Sequence, residues 1–155
     1  MTTASKIIAQ LQGKTLVTAE SLTGGGIGAV LTAVPGASRV YKGGVISYTD
    51  DVKREVLGVP AAFLKTFGAV SAPVAEAMAV GVRDLLHADI AVSVTGLAGP
   101  DGDLFGHEVG TVFIGFADAS GVSVGEYHFT GNREAVRTQT IQTVLDILHK
   151  TVQTL

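Results

Sequence analysis

The feature that most constrains this chain is Thr18-Ala19-Glu20-Ser21-Leu22-Thr23-Gly24-Gly25-Gly26. It follows the apolar pair Leu16-Val17 and precedes apolar residues at helical spacing, Ile27, Val30, Leu31 and Val34. An extended run, consecutive glycines and then a helical repeat predict a strand end, a sharp turn and a helix start. Glycine lets backbone approach a ligand closely, and the unpaired N–H groups of a first helical turn form an anion site. Ser21, at the strand end, is then a candidate nucleophile beside donors that can hold an oxyanion. The same residues also suit a plainer role, with Ser21 or Thr23 capping the helix and the glycines making the turn.

The rest of the chain places further groups at strand ends. Ile7, Ile8 and Leu11 predict a short amphipathic helix ended by Gly13, and Lys14 to Glu20 the first strand. Tyr41 to Tyr48 reads as a second strand. Thr49-Asp50 opens a helix carrying Val52, Val56 and Leu57, and a short helix follows from Pro60 to Phe67. Ser71-Ala72-Pro73 starts a stronger helix with Ala75, Met78, Val82, Leu85 and Leu86 along one face. Asp89 to Thr95 is almost continuously apolar, as expected of a strand buried on both faces. Gly110 to Phe116 and Val122 to Phe129 predict an antiparallel pair. Asn132 caps a last helix with the stripe Ile141, Val144, Leu145, Leu148 and Val152. Helices alternating with strands, then a hairpin, predict an α/β fold: a three-layer α/β/α sandwich with a mixed, mostly parallel sheet. Ligands of such sheets gather at the carboxyl ends of the strands, where Ser21, Tyr48 and the loop after Thr95 all fall.

Composition removes several classes of function. A chain of 155 residues, 46% hydrophobic and only 16% charged, suits one folded domain over residues 1–155. A net charge of −3 provides no basic footprint for nucleic acid. No cysteine is present, so disulfides and thiolate metal sites are excluded. With no apolar run near the ~20 residues of a membrane span, and no apolar leader, a cytoplasmic protein without membrane contact is expected. Phosphate-loop, nucleophile-elbow and zinc-protease motifs are absent, and His87, His107, His128 and His149 are scattered. No metal is expected.

A Ser-His-Asp triad is not excluded by spacing, although only His107 falls in a strand-end loop, and Lys53 is the other possible base, one helical turn beyond the second strand. To act near neutrality its pKa must fall from about 10.4 to roughly 7–8, by desolvation or a neighbouring cation. Asp50 and Asp51 pull the other way, and a solvated Lys53 paired with either is the reading that local sequence favours. Tyr48 suits a half-buried strand end with its hydroxyl in water. The loop Thr95-Gly96-Leu97-Ala98-Gly99-Pro100-Asp101-Gly102 is too punctuated for a plain turn. Its amides can line a pocket and Asp101 can orient a ligand, or it is a flexible loop with an Asx turn. Arg133 and Arg137 stand in the first turns of a helix, against its dipole, which points to an anionic ligand, a carboxylate partner or a surface ion pair.

Six motifs taken in order resemble one family. They are Ala19-Glu20-Ser21-Leu22-Thr23-Gly24-Gly25, Gly44-Val45-Ile46-Ser47-Tyr48 with Lys53, Gly68-Ala69-Val70-Ser71, the loop from Thr95 to Gly102, Val109-Gly110-Thr111-Val112, and Gly131-Asn132-Arg133-Glu134-Ala135-Val136-Arg137. Together they are similar to the C-terminal domain of CinA, the competence/damage-inducible family. The resemblance implies hydrolysis of the carboxamide of nicotinamide mononucleotide by a serine–lysine pair, with no cofactor and no metal, in a homodimer. On that basis Ser21, Lys53 and Tyr48 are catalytic candidates. Thr23, Gly24, Gly25, Thr95, Gly96, Ala98, Gly99, Asp101 and Arg137 are the candidates for substrate binding, Arg137 for the phosphate. Two departures stand out. Leu22 replaces a common cysteine, and Asp103-Leu104-Phe105-Gly106-His107-Glu108 replaces a stretch that usually ends Lys-Pro, so Leu104 and Phe105 are expected to form a lid or reshape the pocket. The other functional class open to this sequence is a nucleotide- or partner-binding module of the same fold that has lost catalysis. A buried Lys53 beside Ser21 favours the enzyme, and an outward Lys53 paired to Asp50 favours the module.

Overall fold

A computed structural model describes residues 1–154. The chain runs α1 (Thr3–Gln10), β1 (Leu16–Glu20), α2 (Gly26–Thr32), β2 (Tyr41–Ile46), α3 (Asp50–Glu55), α4 (Ala61–Phe67), α5 (Ala72–Leu86), β3 (Ile90–Gly96), β4 (Thr111–Asp118), β5 (Gly121–His128) and α6 (Arg133–Val152). The strands form one sheet in the order β2-β1-β3-β4-β5. Strand β1 pairs in parallel with both β2 and β3, and only β4 runs against the others.

Burial follows sequence pattern strand by strand. Strands β1 and β3, the near-continuous apolar runs, are covered on both faces, whereas the edge strands β2 and β5 alternate between partly covered and exposed residues. On one face α1, α2 and α6 bury Ile7, Ile27, Leu31, Val144 and Leu148 against Leu16, Ile90, Val92 and Val94. On the other, α5 sets Val74, Met78 and Val82 on Val17, Ala19 and Ala91, joined by Leu57, Val59 and Leu64. These two apolar layers are the main source of stability, at roughly 1.5–3 kcal/mol for each large side chain fully buried. Leu85, expected on the apolar stripe of α5, is instead 47% exposed in its final turn, outside that cluster. Among the described residues no helix is long and apolar enough to cross a membrane.

The parallel register brings the site together. Glu20 lies opposite Ile46 on one side and Val94 on the other, so β1, β2 and β3 end almost level. Ser21, Ser47 and Thr95 therefore come together at one edge of the sheet. There the chain leaves β1 for β2 on one flank and reaches β3 on the other, a switch point of the kind that opens a crevice.

Candidate active site

Lys53 points inward. Its side chain is buried, and Nζ donates to Ser21 Oγ at 2.9 Å and to the Ser47 carbonyl at 2.7 Å. The outward pairing that the local sequence favours does not form, since Asp51 meets Arg54 at 3.3 Å instead. Burial pushes the Lys53 ammonium down from 10.5 to about 8, while the charge of Asp50 holds the proton on. A lysine so placed is partly neutral at mildly alkaline pH and can take a proton from a hydroxyl it already touches. The Ser47 carbonyl is a positioning group that sequence reasoning did not single out. The sequence could signal only that Ser47 ends β2, because the direction of a carbonyl depends on the strand's pairing.

The turn after Ser21 is held from two sides. Gly24 and Gly25 adopt φ of 60° and 101°, left-handed values that a right-handed helix cannot contain, so α2 begins at Gly26 and not near Thr23 as expected. Residues 21–25 instead form a turn closed by Gly24 N–H to Ser21 O (3.1 Å) and Gly26 N–H to Thr23 O (3.0 Å). Buried Glu20 fills the helix start: its carboxylate accepts from Ile27 N–H (2.9 Å), Gly28 N–H (3.0 Å) and the Thr23 hydroxyl (2.7 Å). The anion site expected there is thus occupied by the chain's own carboxylate, and Thr23 faces Glu20. From the other side Arg137 donates through Nε to Leu22 O (2.9 Å) and through Nη2 to Thr23 O (3.2 Å). Arg137, expected to grip phosphate, grips the turn after Ser21, and Gly24 lies against its guanidinium.

A cleft of about 440 Å³ opens over Ser21 and Lys53. Thr95, Gly96, Ala98, Gly99 and Asp101 line it, as do Leu22, Tyr48, Asp50 and Arg133, whereas Thr23, Gly24, Gly25 and Arg137 do not. The Thr95 hydroxyl donates to Ala69 O at 2.8 Å, tying the β3 end to the segment before α5. Arg133 is the cation at the mouth. Its Nη1 donates to Gly99 O and its Nη2 to the Tyr48 hydroxyl, both at 2.7 Å. Tyr48 is 56% exposed and bonded to Arg133, not to the Ser21–Lys53 pair. The larger groove of about 750 Å³ between α1, α2 and α6 has no ionisable side chain in its lining, whereas the smaller cleft gathers Tyr48, Asp50, Lys53, Asp101 and Arg133.

The loop that departs from the family pattern is a tight turn. Asp103 accepts from the backbone N–H groups of Phe105 and His107, both at 3.0 Å, and its other oxygen lies 2.7 Å from His107 Nδ1. Partial burial opposes ionisation of Asp103, but these bonds outweigh it and hold its carboxyl below the usual range. Phe105 rests against Gly68, and Leu104 is fully exposed; neither lines the cleft.

Known proteins resemble this chain in sequence and in fold. The family model described as the CinA C-terminal domain matches residues 1–152. A CinA-like protein of Geobacter metallireducens is 48% identical over 138 residues, covering 89% of this chain and 33% of that relative. Another, from a Synechococcus strain, is 62% identical over 102 residues, 66% of this chain and 24% of its own length. The chain thus spans about a third or less of the curated relatives it matches. Among solved structures, a competence-damaged protein (CinA) superfamily member from Klebsiella pneumoniae superposes with a TM-score of 0.95 at 33% identity, covering 99% of this chain and 97% of its own. The competence/damage inducible protein CihA from Agrobacterium tumefaciens gives 0.92 at 38% identity, over 97% and 93%. With sequence and fold in agreement over nearly its whole length, the chain belongs to the CinA C-terminal domain family.

Proposed function

We propose that this domain is a serine amidohydrolase that converts nicotinamide mononucleotide to nicotinic acid mononucleotide and ammonia. The observation that carries the reading is the buried Lys53 amine 2.9 Å from Ser21 Oγ, with its proton loosened to about pH 8. Once Lys53 is neutral the bond reverses, and the Ser21 hydroxyl donates to Nζ. Lys53 takes that proton as Oγ bonds to the carboxamide carbon and the carbonyl electrons move onto oxygen. The N–H of Leu22, which lines the cleft and has no acceptor among the described residues, is the candidate to hold that oxyanion. Collapse breaks the C–N bond, and the nitrogen leaves as ammonia with the proton from the Lys53 ammonium. In the second half Lys53 takes a proton from water, whose oxygen adds to the acyl ester. Ser21 Oγ then departs and recovers its proton. Arg133 supplies the positive charge for the phosphate at the mouth of the cleft. An inward, buried Lys53 supports this reading over that of a binding module without catalysis.

Ammonia release from nicotinamide mononucleotide, measured in the presence of EDTA, tests the proposal. Steady release that chelation leaves unchanged is the expected result. No release, or loss on chelation restored by one particular metal, overturns it.

A further inference from the structure

We infer that Asp50 is a specificity residue, whose carboxylate in the Ser21–Lys53 cleft selects a ring carrying a positive charge over a neutral ring of the same shape. The inference rests on the amidohydrolase reading and adds to it the feature of the substrate that the cleft recognises.

Asp50 and Asp51 are adjacent in the first turn of α3, yet their surroundings differ. Asp51 has a cationic partner, Arg54, at 3.3 Å, while Asp50 lines the cleft and has no ion-pair partner among the described residues. For the base beside it, Asp50 is a liability. Its charge favours the protonated lysine, which cannot accept the proton of Ser21. It also repels an anionic substrate. Cleft chemistry that needed only a serine, a neutral lysine and a phosphate anchor would be better served by an uncharged residue here.

The arrangement of charge explains what Asp50 offers in return. The negative group sits on the helix that carries Lys53, while the exposed cation Arg133 bridges Tyr48 and Gly99 on another part of the lining. A ligand matching this polarity has a cation close to its reacting amide and an anion some distance away. Nicotinamide mononucleotide has that layout: its ring nitrogen, bonded to ribose, carries a fixed positive charge, and its phosphate lies at the far end of the sugar. Free nicotinamide lacks both charges. An exposed carboxylate a few ångströms from such a ring, screened by water and salt, discriminates by a modest factor, about fivefold.

The test compares kcat/KM for nicotinamide mononucleotide and for its neutral-ring isostere, a benzamide carbon-linked to ribose 5′-phosphate. Where the isostere is not turned over, its inhibition constant is set against the KM of nicotinamide mononucleotide, so that binding is compared with binding. The cationic ring makes its carbonyl intrinsically more reactive, so the informative quantity is the ratio of the two substrates and how it changes with the variant. Any general effect on Lys53 or on folding cancels in that ratio. The ratio is expected to fall about fivefold in Asp50→Asn and to be kept in Asp50→Glu. With the wild-type enzyme it is also expected to fall as salt rises from about 0.01 M to 1 M, a measurement that needs no variant. Ammonia release by the wild type with a ratio insensitive to Asp50→Asn and to salt overturns this inference and leaves the amidohydrolase reading standing. No ammonia release by the wild type overturns both.

Discussion

Lys53 Nζ lies 2.9 Å from Ser21 Oγ although 32 residues separate the two, one leaving β1 and the other inside the short helix that follows β2. Their meeting depends on the level ends of two parallel strands. If they act as one unit, Ser21→Ala and Lys53→Ala each lower kcat by about 10²–10⁴-fold, and the double variant loses little more. A single variant that keeps a tenth of the wild-type kcat removes the pair from the mechanism.

The pH dependence follows from the same lysine. Only neutral Lys53 accepts the Ser21 proton, so kcat/KM is expected to rise with pH through about 8 and then level off. Asp50 holds that proton on, so Asp50→Asn moves the rise to lower pH. A profile already flat from pH 6 to 9 excludes Lys53 as the base.

Stability carries a second signature of the same burial. The folded pKa of Lys53 is depressed, so between about 8 and 10.5 the unfolded chain binds more protons than the folded one. Unfolding free energy therefore rises with pH across that window. Below pH 8 both states are protonated and burial of the charge costs roughly 3 kcal/mol, an order-of-magnitude figure. Lys53→Met is expected to be more stable than the wild type at pH 7 and to lose this slope, read by urea unfolding at several pH values. Equal slopes in the two proteins contradict the buried charge.

The two arginines of α6 separate by substrate. Arg133→Ala is expected to raise KM for nicotinamide mononucleotide about tenfold or more and to leave the riboside, which lacks phosphate, little affected. Arg137→Lys weakens the two-carbonyl grip on Leu22 and Thr23, so kcat falls on both substrates alike. If Arg137→Lys impairs only the nucleotide, the phosphate contact belongs to Arg137 after all.

Glu20 is expected to be a stability residue as well as a neighbour of the nucleophile. Glu20→Gln turns one acceptor into a donor facing either the Ile27 or the Gly28 amide, at a cost of about 1–3 kcal/mol. Urea unfolding reads this directly, and a loss under about 0.5 kcal/mol means that water replaces the carboxylate at the helix start.

The sequence by itself determined what acts over a turn or a strand. The apolar run of β3 specified a doubly covered strand, and the stripe Val144, Leu145, Leu148 and Val152 specified the buried face of α6. Apolar residues before Ser21 and glycines after it specified a strand end and a turn, since backbone dihedrals and side-chain periodicity are local properties. Tertiary structure alone decided which way the long polar side chains point. Lys53 has carboxylates beside it in sequence and a serine beside it in space, and packing on the sheet edge settles the choice by removing its amine from water. Arg133 and Arg137 differ by one helical turn, yet one lines the cleft and the other holds carbonyls 114 and 115 residues away. Glu20 reaches the start of α2 because left-handed Gly24 and Gly25 fold the helix back onto it. These contacts cross between elements, so they exist only once the sheet register and the helix layers have set the distances.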